Sequence, residues 1–317
     1  MTQKHTPLAP ADHHLVAIDI AKDTLQIHSP QLGDLSVGND NAGLRQLLKH
    51  LQSLENPFVV CEATGGYERL LLNELHHRGV AVAVINPSRL RAFALSEGIK
   101  AKTDPIDARM ILRFAQEKRL TPTPPPDPGT RELAALLDRR SHLTEQQARE
   151  KNRLQNSSKL IAASIKRMLR CIEKELASID AQIEKLITAD PGLSTKAKTL
   201  QSVKGVGKVT TWTILAYLSE MPHLSRNKLV ALAGVAPYNR DSGKTSAKRS
   251  IFAGRGKVRK CLYMAAQTAA MHNPVIKPYV QGLIARGKPY KCAIVAAMRK
   301  LLIHLQSLLK IQQKALA

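Results

Sequence analysis

The sequence predicts an α/β domain, then a long helical arm, then a mainly helical C-terminal domain. Three observations support this order: strand-like and helix-like hydrophobic periods alternate at first, a proline-rich stretch follows, and a heptad pattern begins beyond it. We therefore expect an N-terminal domain at residues 1–120, a linker at 121–130, an arm at 131–195 and a C-terminal domain at 196–317.

The N-terminal domain begins with two strand-like runs, LVAIDI and TLQIHS, which the residues AKD join as a hairpin turn. A leucine repeat predicts a helix over residues 44–51, and a buried strand follows at 58–62. A glycine pair then precedes a second leucine-rich helix, and a further strand, VAVAVINP, is predicted to end at Pro87. This alternation favours an α/β sheet with parallel strands.

The stretch TPTPPPDPGT at residues 121–130 is rich in proline, which lacks a backbone donor and fixes φ. It predicts an extended, semi-stiff linker. Beyond it, apolar residues at alternating spacings of four and three run from Ile165 to Leu186, a seam of three heptads. The seam fits a helical hairpin within one chain and an intermolecular coiled coil equally well.

The chain is strongly basic. It has 48 Lys and Arg against 25 Asp and Glu, for a formal net charge of +23, and Asp241 is the only acidic residue beyond Glu220. Such a charge favours a nucleic-acid partner, because neutralising phosphates releases counterions. A generally adhesive basic protein is the alternative.

Cysteine usage and hydropathy indicate the compartment. The four cysteines are far apart and form no CxxC pair, so a zinc site or a disulfide framework is not expected. The first residues lack the apolar run of a signal peptide, and no later stretch predicts a membrane span. We expect a soluble protein of a reducing cytosol, with no membrane partner.

Four carboxylates stand in settings that suit a metal ion. Asp19 interrupts one apolar strand pattern and Glu62 ends another, where open α/β sheets bind ligands. Asp104 and Asp107 share one face at a helix start. Capping explains this pair equally well, since Asp104 precedes Pro105. A strand-end cap at Asp19 and a helix-start acid at Glu62 are the corresponding alternatives. Because one or two Mg²⁺ ions bound by carboxylates drive displacement at phosphodiesters, this order predicts DNA-strand chemistry.

The order D…E…D-x-x-D, with the phrases AIDIAKD, EATGGYE, VINPSRLRAFA and KTDPIDA, resembles the DEDD insertion-sequence transposases, the Piv-invertase-like family. The resemblance implies a RuvC-like N-terminal domain with a ribonuclease H fold, in which Asp19, Glu62, Asp104 and Asp107 hold Mg²⁺ at a DNA phosphate. It also implies a site shared between protomers of a homo-oligomer, a dimer or a tetramer. Pro105 departs from the family, which often has a basic residue there.

In the C-terminal half, SVKGVGKVTTWTIL has the form of a helix-hairpin-helix. Gly205 and Gly207 allow a tight turn that presents backbone N–H groups to a phosphate, and Lys204 and Lys208 flank them. The alternative is a glycine turn that only packs two helices together.

The next segment, LVALAGVAPYNRDSGKTSAKRSIFAGRGKVRKCLYMAA, carries an AG-x-x-P…SG…G-x-x-x-x-R pattern similar to the C-terminal transposase domain of the same family. The resemblance places a nucleophilic serine at Ser242. From the residues alone, cations in this turn would stabilise a pentavalent phosphate and a phosphoserine ester, and the alternative is a polar loop serine. The cations expected to contact phosphates here are Arg240, Lys244, Lys248, Arg249, Lys257, Arg259 and Lys260.

Aromatic residues make up only 3% of the chain, which disfavours base stacking and predicts contact with the nucleic-acid backbone. Relatives in the resembled family, the RNA-guided bridge recombinases, take sequence choice from a structured non-coding RNA, and we expect such a guide here. The predicted function is a DNA transposase or recombinase. The alternatives are a RuvC-like metal-dependent junction nuclease and a non-catalytic nucleic-acid-binding protein. An actin-like phosphotransferase is disfavoured, because no glycine follows Asp19 closely.

Overall fold

A computed structural model describes residues 13–98, 104–125, 127–238 and 250–316 of the chain; the side chains of residues 104–107, 128, 238 and 316 are outside this description. The chain divides into two compact units, Met1–Pro125 and Pro126–Ala317.

The first unit is built on a mixed five-stranded sheet of order β3-β2-β1-β4-β5. Strands β1 to β3 form an antiparallel meander, and β4 and β5 continue the sheet in parallel with β1. The predicted hairpin turn is confirmed, since the Ala21 N–H donates to the Thr24 carbonyl at 2.9 Å. The strands are β1 (His14–Ile20), β2 (Thr24–Ser29), β3 (Gly33–Gly38), β4 (Pro57–Glu62) and β5 (Ala81–Ile85).

Helices cover both faces of this sheet. Those on one face, α1 and α2, bury leucines against Val16 and Ile18 of β1, whereas α3 and α4 pack on the face that bears Leu15 and Ala17. Strand β5 ends before the predicted Pro87, because Asn86 caps α3 and proline takes its first position. The helices are α1 (Asn41–Gln52), α2 (Arg69–His77), α3 (Pro87–Ser96) and α4 (Asp104–Glu117).

The proline-rich stretch is held at both ends. The Thr123 N–H donates to the Val82 carbonyl at 2.7 Å, and the Thr123 hydroxyl accepts from the Val84 N–H at 3.0 Å, which fixes this residue against β5. Asp127 caps helix α5 (Pro128–Gln155) by accepting from the Thr130 N–H. Helix α5 therefore begins inside the stretch predicted as a linker.

The arm is a helical hairpin within one chain. Helix α6 (Lys159–Ala189) runs antiparallel to α5, as shown by the Arg140–Asp180 ion pair at 2.7 Å and the Gln147–Glu173 hydrogen bond at 3.2 Å. Seam residues of α6 such as Ile183 share a hydrophobic core with residues of α5. Of the two predicted arrangements, this is the intrachain one.

The base of the hairpin belongs to the core of the second unit. One hydrophobic cluster joins Ile183 of α6 to Trp212, Leu262 and Leu301 of the following helices. The elements after α6 are α7 (Pro191–Gln201), α8 (Lys208–Tyr217), a 3-10 turn (Met221–His223), α9 (Arg226–Leu232), β6 (Pro237–Tyr238), β7 (Ser250–Ile251), α10 (Gly256–His272), α11 (Ile276–Ala285) and α12 (Tyr290–Leu316).

Helix α12 is apolar enough over Tyr290–Ala315 to cross a membrane by length and composition, contrary to the sequence expectation. Its packing gives another reason for this composition. Half of the apolar window is buried within the protein, and the buried Gln306 donates to the carbonyls of Met221 and Leu224 at 2.8 and 2.7 Å. These contacts are those of a core helix, not of a membrane span.

Candidate active site and nucleic-acid interface

Asp19 and Glu62 lie side by side at the carboxyl end of the sheet. Strands β1 and β4 are parallel and pair Ile18 with Cys61, so the next residue on each strand is one of the two acids. Neighbouring strands run roughly 4.8 Å apart. Both carboxylates are half-buried. The sheet therefore brings together two residues that are 43 positions apart in the sequence.

Both carboxylates point to the face that α4 covers. Side chains alternate along a strand, so Asp19 follows Ala17 and Glu62 follows Val60 on that face. Ala17 and Val60 belong to the same buried cluster as Ile111 of α4. The helix predicted to carry the other two acids thus packs on the side of the sheet where the first two lie.

Helix α4 begins at Asp104, one residue earlier than the capping prediction. The side chains of Asp104 and Asp107 are outside the described residues. The start of α4 is tied to the sheet edge, since Arg109 Nη2 lies 2.6 Å from Asp34 Oδ2. His28 Nδ1 lies 2.5 Å from the other oxygen of Asp34. The hydrogen bond from Arg109, and then that from His28, lowers the pKa of Asp34.

The loop after Glu62 is organised by a different acid, Glu68. Its Oε2 accepts from the Gly66 N–H at 2.8 Å, the Thr64 hydroxyl at 2.8 Å and the Thr64 N–H at 3.2 Å. Burial opposes ionisation of Glu68, but these hydrogen bonds outweigh it and lower its pKa. The Glu68 side chain thus organises the GGY loop, although it makes no side-chain cap of helix α2.

The donors present suit a hard divalent cation. Asp19 and Glu62 offer carboxylate oxygens at one sheet edge, which are the ligands that Mg²⁺ prefers. Within the described residues, no group of three or more His, Cys, Asp or Glu side chains is arranged to hold a metal. The described chain thus supplies two of the four predicted ligands, and the fit to Mg²⁺ rests on this pair.

The predicted helix-hairpin-helix turn joins α7 to α8 and rests on α10. Gly205 has φ +101°, and a Cβ there would lie 2.7 Å from the Ala269 Cβ, so only glycine fits. Gly207 is the N-cap of α8 and has no side-chain cap, which leaves N–H groups of this helix end for an anion. A pocket of about 370 Å³ opens at this turn, lined by Gly205, Val206, Gly207, Thr210, Met264, Ala265 and Thr268.

The lysines beside this turn differ in their surroundings. Lys204 is exposed, whereas Lys208 Nζ lies 3.1 Å from Glu184 Oε1 on α6. Lys208 would have to exchange this carboxylate for a phosphate on binding. The Lys208 side chain is exposed, whereas Glu184 Oε1 is buried, so this exchange would leave that oxygen without its ion-pair partner.

The segment predicted to hold Ser242 lies outside the described residues, together with Arg240, Lys244, Lys248 and Arg249. Its two ends are described. Strands β6 and β7 pair Pro237 with Ile251 and so close the segment at its base. Below them, Gly234 and Gly254 cross in backbone contact. A Cβ on Gly254 would lie 2.4 Å from the Gly234 nitrogen. The glycines of the AG-x-x-P and G-x-x-x-x-R patterns therefore meet at the foot of the serine segment.

The three other cations predicted near the serine have separate environments. Arg259 Nη1 donates to the Ala253 carbonyl at 2.5 Å and braces the glycine crossing. Lys257 donates to the Asp138 carboxylate and lies 4.9 Å above the Tyr217 ring. Lys260 is exposed. Lys257 is exposed too, but it is paired with Asp138, so Lys260 is the one of the three that is exposed and outside an ion pair among the described residues.

Sequence reasoning missed the network around Lys257. Asp138 of α5 accepts from the Tyr217 hydroxyl as well as from Lys257. Arg255 donates to the Tyr217 carbonyl and lies 2.6 Å from Glu220. This network ties the base of the arm to the foot of the serine segment. No local spacing could reveal it, because Asp138 and Tyr217 are 79 residues apart.

Comparison with known proteins matches both halves of the chain to transposases. A family model described as a transposase, the DEDD type of IS110 elements, matches residues 11–160, and one described as the IS116/IS110/IS902 transposase family matches residues 197–281. The pilin gene-inverting protein of Moraxella lacunata is 29% identical over 301 residues, which cover 90% of this chain and 92% of the relative. The pilin gene-inverting protein of Moraxella bovis matches with the same figures.

The protein is accordingly an enzyme of the DNA transposase and recombinase class. The two family models together cover well over half of the chain. It belongs to the IS110 family of transposases, as the sequence resemblance predicted. Membership implies DNA binding and suggests a divalent metal, and transposases of this family are typically cytoplasmic.

Proposed function

We propose that this enzyme cuts and rejoins DNA through a covalent phosphoserine intermediate formed by Ser242. The serine oxygen bonds to phosphorus, the bond from phosphorus to the departing strand oxygen breaks, and the serine proton passes to solvent while that oxygen takes up a proton. Rejoining reverses these steps with a different strand end, so the phosphodiester count is conserved. The names of the Moraxella relatives support DNA inversion as one outcome of such an exchange.

One observation supports a metal-assisted reaction most strongly. Asp19 and Glu62 occupy neighbouring positions on parallel strands and share the face on which α4 packs. With Asp104 and Asp107 they form the proposed ligand set for one or two Mg²⁺ ions. Bound there, Mg²⁺ would polarise the phosphate and stabilise the departing oxygen. The mixed sheet with its antiparallel meander also supports a RuvC-like ribonuclease H fold.

The second unit is the proposed phosphate-binding part. The Gly205–Gly207 turn offers backbone N–H groups. Lys204 and Lys208 flank this turn, and Lys260 lies on α10. These contacts carry no sequence information. Because few aromatic side chains are present for base stacking, we assign sequence choice to a structured guide RNA. A homo-oligomer, dimer or tetramer, completes the proposed assembly.

The serine step is tested by trapping protein on DNA. Purified enzyme with guide RNA, Mg²⁺ and target DNA should give a covalent adduct that survives denaturing electrophoresis. Ser242→Ala should give no adduct yet bind DNA and RNA as the wild type does, whereas the matched control Ser246→Ala, in the same segment, should keep the adduct. Adducts that persist in Ser242→Ala would remove the serine from its role.

The same assay separates the alternatives. A junction nuclease would release free DNA ends without any protein–DNA ester. A non-catalytic binding protein would yield neither adduct nor cleavage, and Asp19→Asn would leave its cellular function intact. The matched control for Asp19→Asn is Asp23→Asn, which changes an exposed acid in the β1–β2 turn.

A further inference from the structure

Positive charge is concentrated at the far end of the helical hairpin. We define the arm tip as residues 149–172, which pair across the turn between α5 and α6. It contains seven Lys and Arg and one acid, Glu150. The remainder of the hairpin, residues 131–148 and 173–189, has five Lys and Arg against seven Asp and Glu. The excess charge of the arm therefore belongs entirely to its tip.

The cations on α6 form one exposed stripe. Lys159, Lys166 and Arg170 are spaced by seven and four residues, which places them on one helix face over about 16 Å. Arg167 lies beside them, and all four are exposed. None of the four has an ion-pair partner among the residues that the structure describes. Like charges one turn apart repel, so this stripe is unfavourable in the free protein.

We propose that the arm tip is a second binding surface for a nucleic-acid phosphate backbone. A polyanion would relieve the repulsion along the stripe and release counterions. The tip also exposes Leu160, Ile161 and Met168, which could suggest a second copy of the chain as partner. Two tips of the same strong positive charge repel each other, so a polyanion fits this surface better than a copy does.

This surface is separate from the helix-hairpin-helix turn. Lys208 at that turn contacts Glu184 of α6, and Arg170 is fourteen residues further toward the tip, or about 21 Å along the helix. That length equals roughly six base-pair steps of a duplex. One nucleic acid could therefore contact both surfaces. The inference requires the proposed nucleic-acid binding and is independent of the role of Ser242.

The test compares two triple variants that lose the same charge. The tip variant is Lys166→Gln with Arg167→Gln and Arg170→Gln. The control is Lys185→Gln with Lys198→Gln and Lys277→Gln, which lie outside the tip and the helix-hairpin-helix turn. The Kd of the full-length protein is measured for a duplex DNA of about 30 base pairs and for an RNA stem-loop, at roughly 50 to 200 mM salt.

For a duplex bound at the tip, the salt slope of log K should fall by about 2 to 3 in the tip variant, since each lost phosphate contact removes about 0.9. The Kd of the tip variant at about 0.1 M salt should rise at least tenfold, and the Kd of the control variant should change by less than about threefold. Loss confined to the duplex assigns the tip to DNA, and loss confined to the stem-loop assigns it to RNA.

Equal Kd and slope in the tip variant and the control would overturn the proposal. A shift in sedimentation with unchanged binding would assign the tip to self-association instead. A charge-preserving variant, Lys166→Arg with Arg167→Lys and Arg170→Lys, should bind as the wild type does, which separates loss of charge from loss of fold. The adduct assay on Ser242 is measured separately, so failure here leaves that result untouched.

Discussion

Replacing Gly254 by alanine tests the glycine crossing at the foot of the serine segment. A Cβ there would lie 2.4 Å from the Gly234 nitrogen, 2.5 Å from its Cα and 2.8 Å from the Ala231 oxygen. All three are backbone atoms, which cannot rotate away as a side chain can. Gly254 also has φ +69°, in the left-handed region. That conformation costs an alanine about 1 to 2 kcal/mol, and overpacking adds about 1 to 3 kcal/mol.

Two other glycines separate these contributions. Gly287 has φ +80° and nothing within 4 Å of a Cβ. Gly287→Ala should therefore lower the free energy of unfolding only by the cost of the left-handed conformation, about 1 to 2 kcal/mol. Gly256 has neither constraint, and Gly256→Ala should change the free energy of unfolding little. Gly254→Ala carries both costs and should lower the free energy of unfolding by about 2 to 5 kcal/mol.

Urea unfolding followed by tryptophan fluorescence measures this series. The chain has one tryptophan, Trp212, which is 2% exposed in the core of the second unit, so the signal reports on that unit alone. Gly254→Ala should also reduce the yield of the covalent adduct by a larger factor than it reduces the fraction of folded protein. The reason is that the substitution displaces the ends of the serine segment. If Gly254→Ala is no less stable than Gly287→Ala, the backbone crossing is not as close as described.

Two further predictions concern the first unit. The pKa of Glu68 is lowered in the folded protein, so its contribution to stability is present above the unfolded pKa and is lost as pH falls through the folded pKa. The stability difference between wild type and Glu68→Gln should therefore shrink on acidification, and a difference that stays constant from neutral to acid pH would contradict this account. Burial raises the pKa of the Cys61 thiol to about 12. Mass spectrometry after alkylation at about pH 8 should find Cys171 and Cys292 modified and Cys61 unmodified; early modification of Cys61 would refute its burial.

The elements predicted correctly are those whose pattern is set by local periodicity. The β1–β2 hairpin, strand β4 and helices α1 and α2 each carry a complete apolar repeat next to a turn signal. Strand β3 was missed because GDLSVG has only two large apolar side chains, Leu35 and Val37. It forms because β2 offers a free edge for antiparallel pairing, which is a tertiary effect.

The site was predictable only in part. The positions of Asp19 and Glu62 on separate strand ends indicated a meeting at one sheet edge, and their common face follows from the strand register. The glycine crossing and the Asp138 network depend on contacts between distant segments, for which one sequence holds no local signal. The repeated glycines of the two family patterns were the available clue to the crossing.

The central claim, that the carboxylate pair at the ends of β1 and β4 binds a divalent cation, is tested most directly by calorimetric titration with Mg²⁺ in the absence of DNA. Wild type and the turn control Asp23→Asn should bind alike. Asp19→Asn and Glu62→Gln should each weaken binding by roughly tenfold or more, because each removes a charged oxygen ligand. Binding of Mg²⁺ by Asp19→Asn with the affinity of wild type would contradict the account.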